Sequence, residues 1–159
     1  AGSLIVTMTA TDPSGNAISC SSTVTILDTI SPIAVCQPFT INLDAGGNAL
    51  VLPADVDGGS TDNCAIFSST VIPNAFTSAN LGVNAVTLTL TDVAGNTSFC
   101  IDTVTVTDVT PPTALCKDTI VYLDNSGIVA IDSSFIDDGS FDNGLIVSMV
   151  VSPDAFDCA

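Results

Sequence analysis

The chain has 159 residues and a net charge of −16, because 17 residues are aspartate, none is glutamate and Lys117 is the single base. This composition argues against nucleic-acid binding and against attachment to an anionic membrane, since both depend on Lys and Arg. The absence of histidine excludes a catalytic triad, and no apolar run approaches the roughly 18 residues of a membrane span. We therefore predict neither an enzyme nor a membrane-inserted protein.

β-branched residues dominate the composition, with 20 Thr, 17 Val and 14 Ile. Such residues favour strands, whereas the helix formers Glu, Gln, Lys and Arg together number two. A hydrophobic content of 47% argues against disorder despite the charge. The composition therefore predicts an all-β protein.

Alternating apolar and polar residues predict two pairs of long strands, 4–11 with 22–27 and 84–91 with 102–107. Between the strands of each pair stands the sequence Thr-Asp-x-x-Gly-Asn. Its Asp can hydrogen-bond the turn backbone and its Gly can adopt a positive φ, so each pair is predicted to be a β-hairpin. Three shorter strands are predicted between the hairpins, at 39–43, 49–52 and 66–71.

The sequence repeats itself without gaps at an offset of 80 residues. The turn motif at 11–16 recurs at 91–96, and the same offset maps Cys20 onto Cys100. About seven strands in a repeat of this length are typical of an immunoglobulin-like sandwich. The predicted fold class is therefore all-β, with tandem immunoglobulin-like β-sandwich repeats of 80-residue period.

Proline-containing linkers at 28–32 and 108–112 predict the boundaries between repeats. Residues 1–29 are then the last two strands of a preceding repeat, 30–109 form a complete repeat, and 110–159 are the first strands of a following repeat. The chain begins without Met or a signal peptide, so we expect a mature or excised piece. Six cysteines in a chain with almost no bases indicate an oxidising, extracellular setting.

Four motifs carry a resemblance to a known family. They are Pro-x-Ala-x-Cys at 32–36, Leu-Asp-x-x-Gly at 43–47, Asp-Gly-Gly-Ser-Thr-Asp-Asn-Cys at 57–64 and Thr-Asp-x-x-Gly-Asn at 91–96. Together they resemble the hyalin-like (HYR-like) repeats of giant Bacteroidota surface adhesins and filament proteins. The resemblance implies a secreted or cell-surface protein that serves as a stalk, filament or adhesin module, and it names no adhesive target.

Two cysteine pairings are open. The first and last strands of an immunoglobulin-like sandwich run side by side, which allows a bridge between Cys36 and Cys100. The alternative is local, Cys20 with Cys36 and Cys100 with Cys116, and requires the chain to double back at the proline linker. We favour Cys36–Cys100, and the same register pairs Cys116 with Cys20 of the next unit.

The resemblance also implies a second cysteine pair in a fuller repeat. Here Ser78 and Gly144 stand at the partner positions of Cys64 and Cys158. That second disulfide is therefore not expected in this chain.

Two Asp-rich loops are candidate calcium sites, because Ca²⁺ takes six to eight oxygen ligands. Neither loop has the spacing of an EF-hand, and ordinary turn chemistry is the alternative interpretation. The candidate ligands are Asp55, Asp57, Asp62 and Asn63 in the first loop and Asp137, Asp138, Asp142 and Asn143 in the second. Four residues near the predicted junctions are weaker candidates for interdomain ligands: Asp12, Asp28, Asp92 and Asp108.

Four residues are candidate glycan acceptors. Asn96 lies in an Asn-Thr-Ser sequon. Thr29, Thr103 and Thr119 each lie in an Asp-Thr-aliphatic tripeptide, which resembles the O-glycosylation acceptor of Bacteroidota.

The phase of the repeat predicts how the protein assembles. Residues 110–159 lack a final hairpin and residues 1–29 are such a hairpin, so we expect the open sandwich of one unit to be completed by the hairpin of the next. A head-to-tail contact of this kind does not close on itself and builds a filament. A covalently continuous polypeptide would have the same contacts. We favour this version, because the repeats resemble those of giant surface proteins and the register falls one residue short of two whole periods. A calcium-dependent carbohydrate- or surface-binding module is the alternative function, although the chain has no Trp and one Tyr for an aromatic platform.

Overall fold

The computed structural model describes residues 2–158, and strands are its main regular structure. The strands are β1 (Gly2–Thr11), β2 (Ala17–Ile26), β3 (Phe39–Asn42), β4 (Asn48–Leu50), β5 (Ile66–Ile72), β6 (Ala75–Thr77), β7 (Gly82–Asp92), β8 (Thr97–Thr107), β9 (Ile128–Ala130) and β10 (Ala155–Asp157). Two helical turns, α1 (Pro53–Val56) and α2 (Ser133–Ile136), and a 3-10 turn at Ser78–Asn80 complete the regular elements. The predicted β-rich fold is confirmed. Within the described part of the chain, no helix has the length and apolar character needed to cross a membrane.

The chain divides into two compact units. The first comprises the residues through Gln37 together with Leu52–Ile72 and Thr87–Asp102. The second comprises Pro38–Val51, Pro73–Val86 and the residues from Thr103 onward. One four-stranded sheet has the order β3-β8-β7-β5, and its long strands β7 and β8 contribute residues to both units.

The first unit contains the β1–β2 hairpin, which forms a separate two-stranded sheet. Its antiparallel register runs from Gly2 opposite Ile26 to Thr11 opposite Ala17. At the turn Gly15 has a φ of 87°, the left-handed conformation that the sequence predicted for this position. Every residue of both strands is exposed.

The first unit also holds the antiparallel pairing of β5 with β7, which begins with Ile66 opposite Asp92 and ends with Ile72 opposite Thr87. Its buried apolar side chains come from both strands and from α1: Val56, Val71, Leu88 and Leu90.

The strand predicted at 49–52 is too long at its C-terminal end, since β4 ends at Leu50. Pro53 then starts α1, where a missing N–H costs nothing.

The second unit holds three strand pairings. β3 pairs in parallel with the end of β8, while β4 pairs with β6 and β9 pairs with β10 in antiparallel fashion. Its buried apolar residues lie on these strands and next to them: Leu43, Ala49, Val51, Phe76, Val86, Val104 and Val106.

Several elements recur 80 positions along the chain. α2, β9 and β10 follow α1, β4 and β6 at this offset, and the isolated bridge Ile33–Thr61 recurs as Thr113–Phe141. Two segments break the pattern. Residues 117–124 and 145–151, which correspond to β3 and most of β5, form no strand.

Candidate functional site

A disulfide joins Cys36 to Cys100, with 5.9 Å between their Cα atoms. The favoured pairing is therefore confirmed and the local alternative is wrong. Cys20, Cys64, Cys116 and Cys158 are free and exposed thiols. Free Cys64 and Cys158 agree with the absence of a second disulfide.

Three aspartates converge in the first unit. Asp28, Asp62 and Asp92 each place one carboxylate oxygen within 4.8 Å of the other two, the one such group of metal-ligating side chains among residues 2–158. Asp28 comes from the first proline linker, Asp62 from the Asp-rich loop and Asp92 from the last position of β7. We call these three residues the acidic cluster.

Asp28 and Asp62 each have one carboxylate oxygen that accepts hydrogen bonds and one that accepts none. Oδ1 of Asp28 accepts hydrogen bonds from the backbone N–H of Ile30 and from Nδ2 of Asn63, both at 3.1 Å. Oδ2 of Asp62 accepts the backbone N–H of Cys64 at 2.9 Å. The other oxygen of each carboxylate is buried and has no hydrogen-bond partner.

Hydrogen bonds favour the charged form of Asp28. The neighbouring Cys64 thiol, together with the hydrogen bonds from the Ile30 backbone and the Asn63 amide, holds the Asp28 pKa below its usual value. The same contact with Asp28 raises the pKa of the Cys64 thiol, and desolvation adds to that shift. Negative charge therefore concentrates on the carboxylate rather than on the sulfur.

Asp92 is the most buried member of the cluster, with 1 % of its surface exposed. Burial opposes its ionisation, but hydrogen bonds from Asn96 and Ala94 outweigh this effect and keep its pKa below the usual value. Its Oδ1 accepts the N–H groups of Ala94 and Asn96, and its Oδ2 accepts Nδ2 of Asn96 at 2.7 Å. The turn motif thus holds a charged side chain in the interior.

The remaining candidates of the first Asp-rich loop lie outside the acidic cluster. Oδ2 of Asp55 accepts the N–H of Leu52 at the start of α1. Oδ1 of Asp57 accepts the N–H groups of Gly59 and Ser60. Turn chemistry accounts for both side chains, and the loop contributes Asp62 and, through its bond to Asp28, Asn63.

The second loop repeats part of this arrangement. Oδ1 of Asp137 accepts the N–H of Ser140, and Asp138 is exposed. Oδ2 of Asp142 accepts the N–H of Gly144, while Nδ2 of Asn143 donates to the backbone carbonyl of Asp44 at 2.8 Å. Oδ1 of Asp142 and Oδ1 of Asn143 are buried without a partner.

Asp108 and Asp142 both lie beside Gly144. A Cβ added at Gly144 would overlap Oδ2 of Asp108 and lie 3.1 Å from Oδ2 of Asp142. The N–H of Thr110 donates to Oδ1 of Asp108, the counterpart of the bond from Ile30 to Asp28. The sequence predicted all these aspartates as candidate ligands. It did not predict which of them lie close together, because no local pattern shows which loops come into contact.

The glycan candidates differ in their surroundings. Thr29 and Thr119 are exposed, and Thr103 is half-buried. Nδ2 of Asn96, the atom that an N-glycan would modify, donates to the backbone carbonyls of Asp28 and Ile30 as well as to Asp92. A glycan at Asn96 would have to replace these bonds.

Apolar positions that are buried in 30–109 are exposed in the flanking segments. Val6, Met8, Val24 and Ile26 are between 44 and 66 % exposed, whereas their counterparts Val86, Leu88, Val104 and Val106 are at most 1 % exposed. In residues 110–159, Leu123 and Phe156 are 44 and 41 % exposed, against 4 and 2 % for Leu43 and Phe76.

No protein-family model matches the chain, and no curated protein matches it significantly.

Proposed function

We propose that the protein is a structural repeat module of an extracellular filament, stalk or adhesin, built from tandem immunoglobulin-like sandwiches that join head to tail. The open sandwich at residues 110–159 of one unit is completed by the β1–β2 hairpin of the next. The observation that carries this proposal is the contrast in burial between positions 80 residues apart. Both ends of the chain expose apolar surface. Covering this surface with neighbouring chains removes it from water, which stabilises the assembly.

The register of the junction follows from the complete repeat. There β8 pairs with β3 and β7 pairs with β5. The corresponding contacts at a junction place β2 against residues 119–122 and β1 against residues 146–152. These acceptor segments form no strand in the chain itself, as expected for strands that lack their partners.

A groove in the second unit supplies the apolar half of this contact. It has a volume of about 260 Å³ and is lined by residues that include Leu115, Ile136 and Val151. The counterparts of Ile136 and Val151 are the buried core residues Val56 and Val71. The occupant we assign to the groove is the hairpin of a second copy, whose Val6 and Met8 correspond to buried Val86 and Leu88.

The junction has the same contacts whether successive units are separate chains or parts of one polypeptide. In both cases Cys116 lies beside Cys20 of the next unit, as Cys36 lies beside Cys100. An intermolecular Cys20–Cys116 disulfide is therefore a direct test of the register.

The experiment uses the full chain in a Cys64→Ser/Cys158→Ser background, oxidised at increasing protein concentration. We expect a ladder of disulfide-linked oligomers on non-reducing gels, peptide maps that link Cys20 to Cys116, and fibres by electron microscopy. Cys20→Ser and Cys116→Ser are the matched controls, and each should abolish the ladder. A chain that stays monomeric at all concentrations, or that links Cys20 to any other cysteine, contradicts the proposal.

A further inference from the structure

The acidic cluster carries three carboxylates in a unit whose sequence contains no Lys, Arg or His. We propose that Asp28, Asp62 and Asp92 bind one divalent cation of the calcium class. A bound cation would neutralise like charges that no side chain of this unit can neutralise.

The unpartnered oxygens point to a ligand independently of the charge. Oδ2 of Asp28 and Oδ1 of Asp62 are buried and accept no hydrogen bond. Buried carboxylate oxygens without a donor are rare and costly, because they have lost water and gained nothing in return. In both residues the other oxygen is fixed by backbone or amide donors, so the free oxygen is held in place for a cation.

The donor set selects the class of metal. All three ligands are hard carboxylate oxygens, which suit Ca²⁺ and Mg²⁺ rather than softer transition metals. Three fixed carboxylates from separate segments of the chain favour Ca²⁺, since it tolerates irregular geometry, whereas Mg²⁺ requires a near-ideal octahedron. Water would complete the coordination shell.

The position of the site gives it a mechanical role. The linker that enters the repeat supplies Asp28, and the last residue of β7 supplies Asp92. A cation between them fixes the linker against the body of the repeat, where Asn96 already bonds the carbonyls of Asp28 and Ile30.

The same pair of ligands recurs 80 positions along the chain. Asp108 and Asp142 correspond to Asp28 and Asp62, and Oδ1 of Asp142 is again buried without a partner. The counterpart of Asp92 at that site is Asp12 of the next unit, whose carboxylate is bonded to Asn16 as Asp92 is to Asn96. This second, shared site rests on the proposed head-to-tail function, whereas the acidic cluster itself does not.

Calorimetric titration of the full chain with CaCl₂ tests both sites. Asp28→Asn and Asp62→Asn should weaken binding at the acidic cluster about tenfold or more, since they remove a charged ligand. Asp118→Asn, an exposed residue with the same change in charge, is the matched control and should leave binding unchanged. The proposal is overturned if the wild-type protein does not bind Ca²⁺, or if Asp28→Asn and Asp62→Asn bind Ca²⁺ as tightly as the wild type does.

Thermal melting separates loss of the site from loss of the fold. In EDTA the Asp62→Asn variant should melt at or above the wild-type temperature, because it relieves repulsion within the cluster. In millimolar CaCl₂ the order should reverse, since only the wild type gains a bound ion. Wild-type melting that is identical in EDTA and CaCl₂ contradicts a cation site.

The number of Ca²⁺ ions bound per chain tests the shared site. Assembled wild-type protein should bind two Ca²⁺ per chain, Asp12→Asn should lose one of them, and Asp62→Asn should lose the other. Assembly with a single Ca²⁺ per chain that is insensitive to Asp12→Asn refutes the shared site alone. If the chain does not assemble but binds one Ca²⁺ that Asp62→Asn abolishes, the head-to-tail proposal fails with the shared site, and the acidic cluster stands.

Discussion

Cys36 and Cys100 are 64 positions apart in sequence, yet their Cα atoms lie 5.9 Å apart and a disulfide joins them. Cys36 lies just after the first linker and Cys100 is in β8, so the bond closes most of the repeat into one loop. Closing a loop of this length restricts the unfolded chain more than the folded one.

The Cys36→Ser/Cys100→Ser variant should therefore lose about 4 kcal/mol of unfolding free energy, the loss expected from loop entropy. Urea unfolding monitored by circular dichroism measures this loss. Cys64→Ser/Cys158→Ser removes two exposed free thiols and serves as the control, with a change near zero. A loss of equal size in both variants would contradict the role of the bond.

Equivalent positions in the two hairpins should respond differently to truncation. Leu88 has no exposed surface, and its counterpart Met8 is 66 % exposed. Leu88→Ala should cost about 2–5 kcal/mol of unfolding free energy through lost packing and a residual cavity. Met8→Ala should leave the unfolding free energy of the dilute chain within about 0.5 kcal/mol of the wild type.

Assembly reverses the expectation for Met8. If the hairpin is buried in a neighbouring unit, Met8→Ala should raise the concentration at which fibres form. Sedimentation of assembled protein across a concentration series provides the measurement. Unchanged assembly by Met8→Ala together with a stable monomer would show that this face of β1 is not the contact.

The long strands and hairpin turns were predictable because they are local. Alternation of apolar and polar residues is recorded within each strand, and the positive φ of Gly15 and Gly95 follows from the turn motif. The helical turn at α1 was missed because its four residues are too few to show a helical period. Proline at its first position was the available signal.

The acidic cluster was only partly predictable. Asp62 belonged to a recognisable Asp-rich loop, but its neighbours Asp28 and Asp92 lie 34 and 30 positions away in sequence. Their meeting depends on the pairing of β5 with β7 and on the course of the linker. A local reading of composition identified the residue type and could not identify the partners.

Asn96 should contribute more stability than its counterpart Asn16. Nδ2 of Asn96 bonds two backbone carbonyls of the linker besides Asp92, whereas Nδ2 of Asn16 bonds Asp12 on an exposed turn. Asn96→Ala should cost about 1–3 kcal/mol, because it leaves part-buried acceptors unpaired. Asn16→Ala is the matched control, and an equal loss in the two variants, measured by urea unfolding, would contradict this assignment.

Asp57 should make the stability depend on pH. Hydrogen bonds from the side chain and backbone of Ser60 outweigh desolvation and hold the Asp57 pKa below its usual value. As the pH falls, the unfolded chain therefore takes up a proton at this residue before the folded chain does. The stabilisation is complete above the ordinary Asp pKa of about 3.9 and is lost as the pH falls through the lower folded value.

Comparison with Asp57→Asn isolates this residue from the general effect of a highly charged chain. Asn keeps a carbonyl acceptor but cannot carry the charge, so it resembles protonated Asp. The advantage of the wild type over Asp57→Asn should be largest at pH 7 and should shrink as the pH is lowered toward 3. Urea unfolding in calcium-free buffer at a series of pH values gives the difference, and Asp118→Asn corrects for the change in net charge. A wild-type advantage that grows as the pH falls has the opposite sign and would show that the Asp57 carboxylate is not stabilised in its charged form.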